Sequence, residues 1–86
     1  MGDEALVKRF GGTVRRLRSE QGYSQEGFAL KVGLHRTYIG NIERGEKAVT
    51  IVTANKLAKA LGLTLADLFA ELEGKAEDET SQRPAP

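Results

Sequence analysis

The stretch from Gln25 to Arg44 constrains the fold of this chain more than any other part of its 86 residues. A small residue, Ala29, is followed four positions later by Gly33, which can adopt the left-handed backbone of a tight turn. Apolar residues flank this turn at helical spacing: Phe28, Val32, Leu34, Ile39 and Ile42. Two short helices that pack steeply across a tight turn need these three features together. The pattern predicts a helix-turn-helix, with helices over Gln25–Val32 and Arg36–Arg44.

Three further helices are predicted, because apolar residues recur at helical spacing and no stretch alternates like a strand. They span Glu4–Gln21, Ile51–Leu61 and Leu65–Leu72. Ser24 and Thr50 are placed as N-caps, and Thr64 with Asp67 is placed to form a capping box. The first four helices each end at a glycine, namely Gly22, Gly33, Gly45 and Gly62. The expected fold class is all-α with five helices.

The first helix carries an inward apolar stripe and an internal weakness. The stripe consists of Leu6, Phe10, Val14 and Leu17. Gly11 and Gly12 follow one another in the middle of the helix. Each glycine in a helix interior destabilises it by roughly 1 kcal/mol relative to alanine. We therefore expect a frayed or bent start to this helix.

Composition excludes several kinds of site. The chain has no cysteine and His35 is its only histidine, so thiolate sites, histidine-cluster sites and a disulfide framework are excluded. No metal and no cofactor are expected. No apolar run approaches the roughly 18 residues of a membrane span, and no signal peptide is evident. We expect a cytoplasmic protein without a membrane partner.

The chain is expected to form one domain over residues 1–73. From Gly74 onward no apolar side chain is larger than alanine, and a disordered polar tail over 74–86 is expected. The formal net charge is only +1. An anionic partner such as nucleic acid would therefore require the positive charge to be gathered on one face.

The polar face of the third helix is the strongest functional signal. At 100° per residue, Arg36, Thr37 and Asn41 fall on one side together with Gly40, while the apolar residues point the other way. Arginine suits guanine, asparagine suits adenine, and the threonine methyl suits the methyl of thymine. Gly40 removes bulk and would let the helix approach a groove. The alternative is a generic helical bundle whose glycines only separate helices.

These residues resemble the lambda-repressor/Cro-like (XRE) helix-turn-helix regulators, over about Val7 to Leu72. The most similar parts are Ser24-Gln25-Glu26, Gly33-Leu34, Arg36-Thr37-Tyr38-Ile39 and Ile42-Glu43-Arg44-Gly45. The segment from Leu34 to Ile51 is particularly similar to the controller proteins of restriction-modification systems. The resemblance implies a five-helix DNA-binding domain of the Cro/C1 type.

The resemblance also implies roles for individual residues. It implies base contacts by four residues, Arg36, Thr37, Tyr38 and Asn41. It implies contacts to the DNA backbone by Gln25, His35, Lys47 and Thr50. For Gln25 both the side chain and the backbone N–H are implied to hold a phosphate, in agreement with the preference of helix N-termini for anions. His35 stands where serine or aspartate is usual, so it is either a weak cap at the solvent edge or a phosphate contact.

Two further features are structural in the resembling domains. Arg18 and Glu43 are implied to form an ion pair, whereas Arg15 and Arg16 are expected on a solvated face. The fifth helix is rich in apolar residues for the last helix of so small a domain, and surplus apolar surface suggests a partner. The resemblance implies a dimer interface made by Leu65, Phe69 and Leu72, with Leu68 mainly in the core. The alternative is that all of them are core residues.

The sequence thus favours a homodimeric transcriptional regulator that binds an inverted-repeat operator and represses or activates nearby promoters. Its candidate partners are double-stranded DNA, a second copy of the chain and RNA polymerase. One alternative is an antitoxin-type regulator that also binds a toxin protein, and another is a bridging coactivator. An enzyme is the least favoured class, because no catalytic set and no phosphate-binding glycine loop after a strand are present.

Overall fold

The computed structural model describes residues 2–74, and within them the chain forms five α-helices and no strand. The helices are α1 (Gly2–Glu20), α2 (Gln25–Val32), α3 (Arg36–Glu43), α4 (Ile51–Ala60) and α5 (Leu65–Glu73). The predicted all-α, five-helix fold class is confirmed. The tail predicted from residue 74 lies outside the described residues apart from Gly74, which ends α5.

Local hydrogen bonds define where the helices begin and end. The Ser24 hydroxyl accepts from the backbone N–H of Gly27 at 2.9 Å and so caps α2. Thr64 and Asp67 form the expected capping box at the start of α5. Between α2 and α3, Gly33 has a φ of 87°, which an L-residue with a Cβ rarely adopts. The tight turn of the helix-turn-helix therefore depends on this glycine.

The start of α1 differs from the sequence expectation. Leu6, expected in the inward stripe, is 48% exposed. It lies one turn before Phe10, which is buried, and both side chains line an open apolar groove. The groove leaves this face of α1 open to solvent at Leu6. Periodicity gives the direction of a side chain but not what stands opposite it.

The two central glycines of α1 do not interrupt it, since the helix is continuous over its 19 residues. A Cβ on Gly11 would overlap with the carbonyl oxygens of Ile42 and Glu43 in α3. Gly12 has open space around it. Gly11 therefore allows the backbones of α1 and α3 to approach closely, and the start of α1 is helical from Gly2 rather than frayed.

The core lies between all five helices. Its largest fully buried side chains are Val14, Phe28, Ile39, Ile42, Leu57 and Leu68. Burying one such side chain contributes about 1.5–3 kcal/mol relative to leaving it in water. Because Ile39 and Ile42 are buried on one side of α3, the opposite side of this helix faces outward.

Arginines of α1 hold the C-terminal end of α5. Arg9 donates to the carbonyl oxygen of Leu72 at 3.1 Å. Arg16, expected only on a solvated face, donates to Glu71 at 2.8 Å, and this hydrogen bond is the main reason why the pKa of Arg16 is raised. These bonds join α1 to the C-terminal end of α5 at the surface. No helix within residues 2–74 is long and apolar enough to cross a membrane.

Candidate nucleic-acid interface

The outward side of α3 carries the polar residues predicted to contact DNA. Arg36 and Thr37 are exposed, whereas Tyr38 and Asn41 are half-buried. Tyr38 also packs against the hydrophobic core. Arg36 and Thr37 thus form the most accessible part of this face, at the N-terminal end of the helix.

His35 caps α3 through its imidazole ring. Its Nδ1 atom accepts a hydrogen bond from the backbone N–H of Thr37 at 3.0 Å. An accepting Nδ1 is unprotonated, so in the neutral ring the hydrogen is on Nε2. The ring is exposed, which leaves Nε2 as a donor at the edge of the polar face. His35 therefore caps α3, and this hydrogen bond leaves Nε2 able to make an outward contact.

Arg18 and Glu43 form a bidentate ion pair beneath α3. The Nε and Nη2 atoms of Arg18 donate to the two carboxylate oxygens of Glu43 at 2.6 and 3.0 Å. The Glu43 side chain is only 2% exposed. Arg18 also donates from Nη1 to the carbonyl oxygen of Tyr23 at 2.7 Å. The pair joins α1 to the C-terminal end of α3 and to the start of the helix-turn-helix.

The side chain of Gln25 is held by the same carboxylate. Its Nε2 atom donates to Oε1 of Glu43 at 3.0 Å. The family resemblance implied that this side chain binds a phosphate. One of its two N–H groups, however, already donates to Glu43 within the protein. The backbone N–H of Gln25, in the first turn of α2, is not affected by this bond.

Arg44 belongs to the polar face and was missed at the level of the sequence, where it was taken only as the end of a helix. Its guanidinium donates to Oδ1 of Asn41 at 2.6 Å and pairs with Glu46 at 3.3 Å. Together with Gln25 it covers Gly40, which is buried rather than open as expected. The signal was the i, i+4 spacing of Gly40 and Arg44, which places them on one helix face.

The polar face of α3 contains a shallow pocket above Gly40. It is lined by Gln25, Arg36, Thr37, Gly40 and Arg44.

The two other residues expected at the DNA backbone lie beyond α3. Lys47 is exposed in the loop after this helix, and the hydroxyl of Thr50 accepts from the N–H of Thr53 at 3.1 Å as the cap of α4. The described residues contain no cluster of His, Cys, Asp and Glu that could hold a metal.

A second surface feature is an apolar groove of about 430 Å³. Its main apolar lining consists of Leu6, Phe10, Val49, Ile51, Phe69 and Leu72. Among the residues predicted for a dimer interface, Phe69 is 36% exposed, while Leu65 and Leu72 are half-buried against the core and Leu68 is fully buried. Leu6 and Ile51, which were not predicted here, are 48% and 62% exposed. The apolar surface therefore extends from α5 to α1 and α4.

The turn at Gly33, the buried side of α3 and its outward polar side together define a protein of the helix-turn-helix class. The family model described as Helix-turn-helix matches residues 14–68. The chain belongs to this family of transcriptional regulators, of the lambda-repressor/Cro-like (XRE) type that the sequence resembles.

Similar proteins include several controllers of restriction-modification systems. Control protein C.MunI from a Mycoplasma species is 42% identical over 66 residues, which span 76% of this chain and 89% of that protein. The crystal structure of the restriction-modification controller protein C.AhdI from Aeromonas hydrophila matches with a TM-score of 0.72 and 43% identity, covering 76% of this chain and 98% of that one. The controller C.Esp1396I, solved as a tetramer with its natural 35 base-pair operator, matches with a TM-score of 0.76 and 31% identity over 81% of this chain and 92% of that one.

Proposed function

We propose that this protein binds operator DNA as a homodimer and regulates transcription as the controller of a restriction-modification system. The observation that carries the proposal is the polar face of α3, whose opposite side is packed into the core. A rigidly held helix with exposed arginine and threonine near its N-terminus suits insertion into the major groove. The similarity to C.MunI and C.AhdI, over most of the length of each, supports the controller role.

Base reading is assigned to the residues of α3. Arg36 donates to a guanine, and the methyl group of Thr37 contacts a thymine. Tyr38 contacts a base beside them. Asn41 contacts a base through its side-chain amide, whose Oδ1 also accepts a hydrogen bond from Arg44. An amide oxygen has two lone pairs, so this bond leaves Asn41 able to make the bidentate contact to adenine.

Contacts to the DNA backbone are assigned to groups around α3. The backbone N–H of Gln25, at the N-terminus of α2, faces a phosphate, since helix N-termini favour anions. His35 donates from Nε2, and Lys47 supplies a charge without base preference. Thr50 also belongs to this set, as the residue at the start of α4.

The dimer is assigned to the apolar groove and the outer face of α5. Phe69 is its central contact, flanked by Leu65 and Leu72 and extended by Leu6 and Ile51. A single recognition helix reads only a few base pairs, and a second copy doubles the contacts. A two-fold axis imposes an inverted repeat on the DNA, with half-site centres about 10 base pairs apart.

The proposed regulator works in the cytoplasm, where operator DNA is accessible, and it has no catalytic activity of its own. Contact with RNA polymerase belongs to an activating role.

Selection of bound duplexes from random DNA tests the proposal. We expect an inverted repeat with the stated half-site spacing. A protein that enriches no sequence, or enriches only single half-sites, would contradict it.

A further inference from the structure

The pocket above Gly40 contains an acceptor and a donor that the roles assigned so far do not use. The acceptor is Oε1 of Gln25, and the donor is Nη1 of Arg44. A Cβ placed on Gly40 would lie 3.7 Å from the first and 3.1 Å from the second. Both atoms therefore lie over the middle of the recognition helix α3, in the pocket that Arg36 and Thr37 also line.

The orientation of the Gln25 amide follows from Glu43. An ionised carboxylate only accepts hydrogen bonds, so the amide must turn its nitrogen toward Glu43. The two oxygens of Glu43 also accept from Arg18, which keeps this carboxylate in one position. With Nε2 bonded to Glu43 at 3.0 Å, Oε1 is left on the side of Gly40. The direction of the acceptor is thus determined by a buried ion pair.

The orientation of the Arg44 guanidinium is determined by its other nitrogens. Its Nη2 atom donates to Asn41 at 2.6 Å, and its Nε atom pairs with Glu46 at 3.3 Å. Within residues 2–74, Nη1 makes no hydrogen bond and lies over Gly40. A larger residue than glycine at position 40 would push against this nitrogen. The donor therefore lies above the helix, on a side chain that is 57% exposed and accessible to a ligand.

An acceptor beside a donor selects a particular kind of ligand. A DNA phosphate offers acceptors alone, so it would pair with Arg44 but would meet the oxygen of Gln25 unfavourably. Base edges in the major groove differ, because an exocyclic amino group donates next to an acceptor: N6 beside N7 in adenine, or N4 of cytosine beside O6 of its paired guanine. The chemistry of the pocket fits a base edge of this kind.

We propose that Gln25 and Arg44 form a second base-reading site, in which Oε1 of Gln25 accepts from an exocyclic amino group and Nη1 of Arg44 donates to the neighbouring acceptor. Glu43, Asn41 and Glu46 act as positioning residues for this pair. The inference rests on the proposed function, since it requires α3 to enter the major groove.

The test compares the sequences selected by the wild-type protein and by Gln25→Ala. The variant keeps the Arg18–Glu43 pair, which a circular dichroism melt checks. We expect the wild-type consensus to contain an amino-bearing base at one position of each half-site, and Gln25→Ala to lose that preference by about tenfold. The preference read by Arg36 should remain. Gln21→Ala is the matched control, because the amide of Gln21 donates to the carbonyl of Leu61 and not into the pocket.

Base analogues in the operator identify the source of the amino group. Purine in place of adenine removes N6, and 2-pyrimidinone in place of cytosine removes N4. We expect one of these changes to weaken wild-type binding by about tenfold and to leave Gln25→Ala unaffected. Replacing adenine with 7-deazaadenine should in turn cost the wild type more than Arg44→Met.

The outcomes separate this inference from the proposed function. A wild-type consensus that Gln25→Ala preserves, with affinity reduced equally for all sequences, would show that Gln25 contacts only the DNA backbone and would overturn the inference while leaving the regulator intact. Analogue changes without effect on wild-type binding would overturn it as well, even if Gln25→Ala failed to fold. If the wild type selects no consensus, the proposed function itself fails.

Discussion

The Nε atom of Arg18 lies 2.6 Å from Oε2 of Glu43, and this contact joins the first helix to the end of the recognition helix. The remaining oxygen of Glu43 accepts from Arg18 and from Gln25 at 3.0 Å each. One carboxylate therefore connects α1, α2 and α3. Its side chain is almost fully shielded from water, which distinguishes it from the other ion pairs of the described residues.

Glu43→Ala should strongly destabilise the fold. Removing one partner of a buried pair typically costs about 3–5 kcal/mol, because the other charge is left without compensation. In a domain of this size the melting temperature should fall by more than about 12 °C. Thermal unfolding followed by circular dichroism measures the change. Glu20→Ala is the control, since Glu20 pairs with Arg16 on the surface, and equal melting temperatures for the two variants would mean that Glu43 contributes no more than a surface charge.

Gly11→Ala and Gly12→Ala should have opposite effects although the residues are neighbours. A methyl group on Gly11 overlaps with backbone carbonyls of α3, so the helices must separate at a cost of about 1–3 kcal/mol. The same group on Gly12 meets open space and should stabilise the helix by roughly 0.5–1 kcal/mol. Urea unfolding of both variants gives the free energies. Stabilisation by Gly11→Ala would contradict the close crossing of α1 and α3.

Arg36→Ala and Lys47→Ala should separate base reading from charge. Loss of a bidentate contact to guanine should cost about 1–3 kcal/mol of binding and relax the preference at one base pair. Lys47→Ala should weaken binding to all sequences alike and lower the salt slope by about one unit. Titrations of operator variants at several salt concentrations distinguish the two. An unchanged ranking of operator variants with Arg36→Ala would mean that α3 does not read the DNA as proposed.

Phe69→Asp should dissociate the dimer without unfolding the monomer. A charge in the apolar groove would have to be desolvated on association, which opposes contact. We expect a helical protein that sediments as a monomer and binds one half-site weakly. Leu30→Asp is the matched control, because Leu30 is 81% exposed on α2 and does not line the groove. Analytical ultracentrifugation decides the matter, and a wild-type chain that stays monomeric at high micromolar concentration would exclude this interface.

Local features of the sequence were sufficient to predict the elements of the fold. Helix α2 begins and ends as expected, and the other helix ends lie within two residues of the expected ones. Caps such as Ser24 and turn glycines such as Gly33 act through hydrogen bonds and backbone angles within a few residues. Information of this range is contained in the sequence itself. The face of α3 opposite Ile39 could be identified for the same reason, since it depends only on helical periodicity.

The tertiary structure decided what stands opposite each of these faces. Leu6 has the periodicity of a core residue but lines an open groove at the surface. From the sequence, Gly11 is a destabilising residue inside a helix. In the structure, it is where the backbone of α1 lies against the backbone of α3. Gln25 and Arg44 are 19 positions apart and meet over Gly40 only because α2 and α3 pack against each other. Contacts between residues distant in the chain depend on how helices dock, and a helical period does not specify the docking partner.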